Sequence, residues 1–386
     1  MVQGSAVVSG NEMVMMPAPR RPLWRFALLA AMLAGCAGTA LSTNENRIPK
    51  MNNMPPKIAP LFEKTKTVCF GRFMIDLPES AQLIWGPMSV PYKLNVYPNK
   101  GYTIKREIYT KTNEITSKKH SEEPSMLIGV FDSVNEDSKI LVGYEDRHDT
   151  LGAQLYSYIR LDKVLFVQSI PSSPLVVSDE SARMGIREDK TIYKKDVEEL
   201  QNIARRLRLR AENEIPDETG VCIEEGFISW PLDFRHERIA IGFRFPQAPD
   251  VTFAIETMAT SRPREDSTLE AALKAGREEA GERGLGALFK RIKTLRKQDR
   301  TIGQWEGAEA LMRLPSKDGN PESHEFIFKS PGAAKDMLRP WAEINFYTGV
   351  KGNARGQVPP SLTDEEAIAM WDRLTSTIRV RPTKEK

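Results

Sequence analysis

The side chains that most often perform catalysis are scattered along this chain of 386 residues. A hydrolase needs a nucleophile with a base, a pair of carboxylates or a metal-binding cluster. The sequence contains neither a Gly-x-Ser-x-Gly nor a His-Glu-x-x-His motif, which would respectively position a nucleophile or bind zinc. The histidines are isolated from one another: His120, His148, His236 and His324. The sequence therefore predicts no catalytic, cofactor-binding or metal-binding residue.

Three local patterns look chemical but fit a structural explanation better. The charged run Arg235–Arg238 precedes an apolar segment, so we interpret it as the polar start of a strand. The pair His324–Glu325 continues into Phe-Ile-Phe and is also typical of a strand. The glycines of segment 281–286 follow a predicted helix rather than a strand, so they do not form a dinucleotide-binding loop.

Two of the three cysteines, Cys69 and Cys222, occupy equivalent places in a long internal repeat. Five positions recur at a constant offset of 153 residues: Val68, Cys69, Phe70, Ile75 and Pro78 in one copy, and Val221, Cys222, Ile223, Ile228 and Pro231 in the other. β-favouring residues fill both stretches and a proline ends each of them. Each stretch is therefore predicted to be the first strand of a domain.

The two copies also end alike, in a helical apolar spacing followed by Arg-x-Arg: Leu200, Ile203 and Leu207 in one copy, and Trp371, Leu374 and Ile378 in the other. A weaker correspondence links Gly152 with Gly307. A repeat of this size indicates duplication of a whole domain. We therefore predict an N-terminal domain at 67–213, a linker at 214–219 and a C-terminal domain at 220–381.

Residues 1–36 resemble a bacterial lipoprotein signal. Arginines precede the apolar run Phe26–Leu33, and Leu-Ala-Gly leads directly into Cys36. The run is shorter than the roughly 20 residues that a membrane-spanning helix needs. We predict that Cys36 is lipidated, whereas an ordinary secretory signal is the alternative. Segment 37–66 is rich in Asn, Pro, Lys and Thr, so we predict a flexible tether between the lipid anchor and the first domain.

Past the inner membrane, an even number of cysteines is expected to be oxidised. Cys69 and Cys222 remain once Cys36 is lipidated, and equivalent positions can meet near an axis that relates two similar domains. We therefore favour a disulfide between them. The alternative is two separate buried cysteines.

The order of elements predicts an α+β protein with two similar tandem domains. Short connections between consecutive strands permit mainly antiparallel sheets, and in each domain two helices would cover one face of the sheet. The helices are expected at Tyr102–Lys119, Lys194–Leu207, Thr268–Ala280 and Asp364–Ser376. The net charge of +3 is nearly balanced between both signs, so the sequence indicates no nucleic-acid partner.

The segments Thr67–Pro78 and Val221–Ile228 resemble the opening motifs of the two domains of immunity proteins that protect bacteria against type VI secretion lipase effectors of the fourth class. The resemblance covers about residues 67–381. It implies a crescent of two domains that holds a cognate phospholipase in the periplasm, blocks its substrate entrance and performs no catalysis. It assigns no interface residue and no small-molecule substrate. An envelope hydrolase and a structural envelope lipoprotein are the alternatives.

Overall fold

The computed structural model describes residues 54–148, 150, 152–174, 191–317 and 319–384. The first half of the chain contains nine strands and two helices in the described residues. Their bounds are β1 Thr65–Phe70, β2 Phe73–Pro78, β3 Gln82–Ser89, β4 Lys93–Tyr97, α1 Ile104–Thr116, β5 Leu127–Asp132, β6 Lys139–Tyr144, β7 Gly152–Leu161, β8 Val164–Pro174, α2 Tyr193–Arg206 and β9 Leu207–Leu209.

The second half repeats this order with one additional short helix. The bounds are β10 Gly220–Ile223, β11 Gly226–Ser229, β12 Arg238–Phe245, β13 Ala248–Met258, α3 Leu269–Glu282, α4 Gly286–Phe289, β14 Lys293–Ile302, β15 Trp305–Leu314, β16 Ser323–Ser330, β17 Trp341–Tyr347, α5 Asp364–Thr375 and β18 Arg379–Val380. The predicted α+β class, the tandem arrangement and the four long helices are confirmed.

One antiparallel sheet of 12 strands runs through both halves, in the order β14-β15-β16-β17-β13-β12-β3-β4-β8-β7-β6-β5. Six strands come from each half, and the equivalent strands β3 and β12 pair at the centre. An approximate two-fold axis therefore passes between β3 and β12. The two repeats therefore share a single large sheet, whereas the sequence predicts a separate sheet in each domain.

Two small sheets exchange strands between the halves. The hairpin β1-β2 near the start of the chain pairs with β18, whereas the hairpin β10-β11 pairs with β9. Each opening hairpin is thus completed by the strand that follows the closing helix of the other copy. The N–H of Arg381 donates to the Arg72 carbonyl at 2.9 Å, and the N–H of Arg210 makes the matching bond to Glu225 at 3.0 Å.

The two opening hairpins meet at the approximate axis. Gly71 and Cys222 exchange two backbone hydrogen bonds of 2.8 and 2.7 Å, and a disulfide joins Cys69 to Cys222 with their Cα atoms 5.9 Å apart. Both cysteines are fully buried and pack with Phe227. The expected bridge between equivalent cysteines is therefore present in the structure.

Buried guanidinium groups stabilise the junction between the halves. The Arg72 side chain forms a 3.0 Å ion pair with Glu237 and donates to the carbonyls of Trp230 and Pro231. Arg381 donates to the carbonyls of Pro216, Glu218 and Gly220, so it fixes the connection between the two repeats from the far end of the chain. The predicted linker is held by these bonds.

The helices lie on both faces of the large sheet, which differs from the expected single covered face. Alternate strand residues point to opposite faces. Leu141 packs with Ile104 of α1, whereas its neighbours Ile140 and Val142 pack with Leu200 of α2. The second half follows the same rule, because α3 and α5 pack on opposite faces. We call the face that carries α1 and α3 the outer face.

The flexible tether predicted at 37–66 is wrong for residues 54–66. A short 3-10 helix occupies Ala59–Phe62, and Ile58 and Phe62 are buried in the main core. Apolar side chains at these positions gain burial that a solvated tether would not provide. Residues 37–53 and the signal segment with Cys36 lie outside the described residues.

The proposed correspondence between Gly152 and Gly307 is also wrong. Gly152 begins β7, whereas Gly307 lies in β15, whose counterpart in the sheet order is β6. A Gly-Ala pair carries too little information to fix an alignment. The closing Arg-x-Arg segments, by contrast, do occupy equivalent places, because β9 and β18 complete equivalent hairpins.

We expect the double substitution Cys69→Ala/Cys222→Ala to lower the free energy of unfolding by about 4 kcal/mol, because the bridge closes a loop of more than 100 residues. Urea denaturation followed by tryptophan fluorescence measures this loss. The matched control is Cys36→Ala, which leaves the bridge intact and should unfold like the unaltered protein. Equal stability of the double variant and the control would contradict a stabilising role for the disulfide.

Candidate functional site

One group of side chains in the described residues has the composition of a hydrolytic triad. The ring of His324 lies between Thr348 and Asp364, with Nδ1 2.9 Å from the threonine hydroxyl and Nε2 3.0 Å from the carboxylate. The Thr348 hydroxyl is fully buried and also accepts the backbone N–H of His324 at 2.9 Å. A substrate could not reach this oxygen, so the group is a structural clamp between β16, the end of β17 and α5.

The sequence predicts no chemical role for the other three histidines, and the structure places them apart from one another. His120 is buried and its Nδ1 accepts the backbone N–H groups of Glu122 and Glu123, while His148 and His236 are exposed. Across the described residues, no group of three or more His, Cys, Asp or Glu side chains could hold a metal ion. Within the same residues, no helix is both long and apolar enough to cross a membrane.

A recess of about 430 Å³ lies between the two halves. Three of its lining residues, Asn99, Asp162 and Glu225, have positive φ angles of 58°, 49° and 57°. Asp162 and Glu225 lie in the turns of the β7-β8 and β10-β11 hairpins, whereas Asn99 lies in the turn between β4 and α1. The Arg210 guanidinium in this recess donates to backbone carbonyls, among them Ala211 and Ile223. The recess therefore reflects the way that turns from both halves meet, and its Arg210 guanidinium is already used by the fold.

The outer face of the large sheet offers a larger surface. Helix α3 packs on β15 and β16, and α1 packs on β5 to β8, whereas none of the helices in the described part of the chain covers the five strands between them. Neighbouring strands are about 4.8 Å apart, so the open strip measures roughly 20 Å across. We call this strip, formed by β17, β13, β12, β3 and β4 with α1 and α3 as its walls, the outer trough.

The centre of the floor of the outer trough contains two small residues, Gly242 and Ala254. Strand pairing places Asn345, Ala254, Gly242 and Ile84 in one row across β17, β13, β12 and β3. Ile84 is 45% exposed although it lies in the middle of a 12-stranded sheet. A central strand normally has both faces covered or one polar face, so this exposed apolar floor indicates a surface that a partner can cover.

Exposed aromatic residues concentrate on the α1 side of the outer trough. Tyr97 on β4 is 44% exposed. Tyr102, just before α1, is 73% exposed, and Tyr109 on α1 is 67% exposed. Their neighbours Ile104 and Ile108 pack on the sheet instead, so the helix presents its tyrosines to solvent. Tyrosine combines a large apolar area with a polar hydroxyl and is enriched in protein interfaces.

The charges along the outer trough are largely paired. Arg238 contacts Glu256 at 2.6 Å, and Lys329 pairs with Glu343 across β16 and β17. Glu325 lies near the far end, where burial raises its pKa to about 7, opposed by the nearby Arg355 guanidinium. Sequence reasoning missed this surface, because only the strand order shows which residues are neighbours on the outer face.

The His324 clamp makes stability depend on pH. Burial lowers the pKa of His324, against the opposing effect of its hydrogen bond to Asp364. His324 therefore binds a proton more readily in the unfolded chain than in the folded chain. The free energy of unfolding decreases as the pH falls below about 6.5, the pKa of histidine in an unfolded chain. We expect His324→Gln to show a smaller loss of unfolding free energy between pH 7.5 and pH 5.5 than the unaltered protein.

Urea denaturation at both pH values measures this difference. His148→Gln is the matched control, because His148 is exposed and its removal should leave the pH dependence unchanged. The same pH dependence in the His324 variant and the control would show that His324 does not cause the effect.

Two family models match the chain. The N-terminal domain of Tle cognate immunity protein 4 matches residues 66–210, and its C-terminal domain matches residues 214–383. A comparison with curated proteins finds no match.

Solved structures share this fold at low sequence identity. The apo immunity protein TplEi of the type VI secretion system from Pseudomonas aeruginosa has 23% identity and a TM-score of 0.62, and the alignment covers 83% of this chain and 98% of that chain. A chain of the Tle4-Tli4 complex has 24% identity, a TM-score of 0.64 and the same coverage. Because both family models match in tandem and together span most of the sequence, the chain belongs to the Tle cognate immunity protein 4 family.

Proposed function

We propose that this protein binds a cognate type VI secretion phospholipase effector and inhibits it by steric occlusion, which protects the cell from its own toxin. The observation that carries this proposal is the tandem match to both domains of an immunity protein family. A solved structure with the same fold is described as a Tle4-Tli4 complex, which supports an effector as the partner.

The positions and partners of the polar side chains support inhibition by occlusion rather than by a chemical reaction. The triad-like group of His324, Thr348 and Asp364 is not available to a substrate, because the Thr348 hydroxyl is fully buried and accepts the backbone N–H of His324. The charged pairs of the outer trough compensate one another. Such groups can support binding, whereas a catalytic group must reach the reacting atoms of a substrate.

The shared sheet, the exchanged strands and the disulfide support binding by a single rigid surface. A preorganised surface loses less conformational freedom on binding, so more of the contact energy appears as affinity. The construction also means that an isolated half would lack the strand that completes its hairpin, β18 for the first half and β9 for the second. Tests of binding therefore require the intact chain.

The protein acts in the periplasm in this proposal, where lipidated Cys36 attaches it to a membrane. Its support is the signal-like segment at residues 1–36 and the buried disulfide, since disulfides persist in oxidising compartments. The segment between Cys36 and residue 54, where the described residues begin, is long enough to separate the folded part from the bilayer surface.

We expect a lipase effector to be encoded beside this protein, and we expect the intact protein to abolish its activity at about one molecule per lipase, because occlusion requires a stoichiometric complex. Titration against a fixed lipase concentration with a soluble ester substrate measures this ratio. Lipase recovered from the complex should have an unchanged mass and full activity.

Two outcomes would contradict this function. Inactivation at far less than one equivalent, or hydrolysis of ester or lipid substrates by the purified protein alone, would favour the envelope hydrolase. Absence of any complex with the neighbouring lipase would favour a structural envelope lipoprotein.

We expect Cys36→Ala to move the protein from the membrane fraction to the soluble fraction, because the substitution removes the atom that carries the lipid. Cell fractionation and mass analysis of the mature N-terminus measure the two effects. Cys69→Ala/Cys222→Ala is the control, since it should remain in the membrane fraction. A soluble unaltered protein without an acyl mass would refute lipid attachment.

A further inference from the structure

Gly242 occupies the middle of a central strand, where the fold does not require a glycine. Its φ angle is outside the left-handed region, and a Cβ atom would meet only carbonyl oxygens of Ile84 and Phe253, at 3.7 and 3.8 Å. These are ordinary contact distances. Glycine weakens a strand because it has high conformational entropy when unfolded and no side chain to pack. Gly242 therefore destabilises the free protein without a steric reason within it.

Gly86 provides the contrast, because it holds the matching fifth position of β3, across the approximate two-fold axis. A Cβ atom at Gly86 would lie 3.0 Å from the Ala240 side chain and 3.3 Å from its carbonyl oxygen. The strand pairing shifts register between Ile239 and Ile241, and this irregularity explains Gly86. Internal packing thus accounts for one glycine of the pair but leaves Gly242 unexplained.

The surroundings of Gly242 form a continuous low surface on the outer face. Ala254 and Ile84 flank it in the pairing row, and Ala240 lies two residues before it on the same face. A glycine within a strand often marks a place where another backbone approaches closely. The small side chains of Ala240 and Ala254 beside Gly242 permit such an approach at the centre of the outer trough, and Ile84 offers an exposed apolar contact next to them.

The area available suits a protein partner. The open strip is roughly 20 Å wide and, at six residues a strand, about 20 Å long, which gives about 400 Å² of floor. The inner flanks of α1 and α3, each about 20 Å long, add a similar area. Together they approach the roughly 800 Å² that one partner contributes to a stable specific interface.

The charges indicate what the partner must carry. Arg238 and Lys329 are neutralised by carboxylates within the trough. Arg244, on the same face of β12 as Gly242, instead donates to neutral acceptors, the side-chain oxygen of Asn353 at 2.9 Å and the Gly352 carbonyl at 3.4 Å. Lys351 lies in the same exposed loop as these acceptors, whereas Arg355 of that loop already forms an ion pair with Glu325 at 3.7 Å. This end of the trough therefore attracts a carboxylate.

From these observations we infer that the outer trough is the docking surface for the effector, and that an apolar segment of the effector lies directly on Gly242, Ala254 and Ile84 with an acidic residue against Arg244. The inference rests on the proposed function and specifies which face of the protein performs it. Binding then uses strands from both halves, on either side of the approximate axis.

Gly242→Thr separates a binding role from a structural one, because the two predict opposite changes. A β-branched residue fits a pleated strand, so the melting temperature of the free protein should rise, by about 1–2 °C. The side chain would also lift the effector off the floor, so Kd should increase by at least about tenfold. Thr294→Val, on the exposed edge strand β14, is the matched control and should leave Kd unchanged.

Calorimetric titration with the neighbouring lipase measures Kd, and thermal unfolding measures stability. Arg244→Glu should also raise Kd, and more so at low salt, whereas Arg244→Lys should retain most of the affinity. Unchanged Kd in both Gly242→Thr and Arg244→Glu would overturn the inference, and it would leave the proposed function intact if the unaltered protein still inhibits.

A second copy of the chain is the competing occupant of the trough. Light scattering after size exclusion should show a monomer at micromolar concentration. A dimer that Gly242→Thr dissociates would assign the surface to self-association and would overturn docking of the effector there.

Discussion

The antiparallel pairing of β3 with β12 is the constraint on which the rest of the structure depends. Each repeat supplies a six-stranded half-sheet whose first strand would be an exposed edge if the repeat were alone. Unpaired edge strands expose backbone donors and acceptors and invite aggregation. Pairing the two equivalent edges removes both of them, and the sheet order places this joint midway between the outermost strands β14 and β5. The duplication therefore stabilises a shape that one copy could not maintain.

The exchanged strands and the disulfide lie on the opposite face of the large sheet from the outer trough. They connect the two halves at a second place, in addition to the pairing of β3 with β12. Backbone pairing at Gly71 and Cys222, the ion pair of Arg72 with Glu237 and the carbonyl contacts of Arg381 each join segments far apart in sequence. Opening the joint would break all of these hydrogen bonds together and expose the apolar side chains of both halves that pack in the main core, which is unfavourable. We therefore interpret the two halves as one cooperative unit.

Sequence reasoning succeeded where a local pattern determines the outcome. The repeat placed Cys69 and Cys222 at equivalent positions, and helical spacing located all four long helices to within a few residues. It failed where the outcome depends on pairing between distant segments. The sequences of β3 and β12 do not indicate that the two strands pair with each other. The sequence therefore predicts two sheets where the structure has one. The burial of Ile58 in the core of later elements likewise cannot be seen in a Pro- and Lys-rich segment.

The same limit explains why the candidate surface was invisible in the sequence. Gly242 and Ile84 are separated by the whole first repeat and meet only through the central pairing. A surface that straddles the joint has a thermodynamic consequence as well. A partner that binds only the closed joint stabilises it by mass action, so the effector would strengthen the contact between the halves that creates its own binding site. Recognition of the effector at this trough would therefore require an intact contact between the two halves, because neither half alone carries the complete floor.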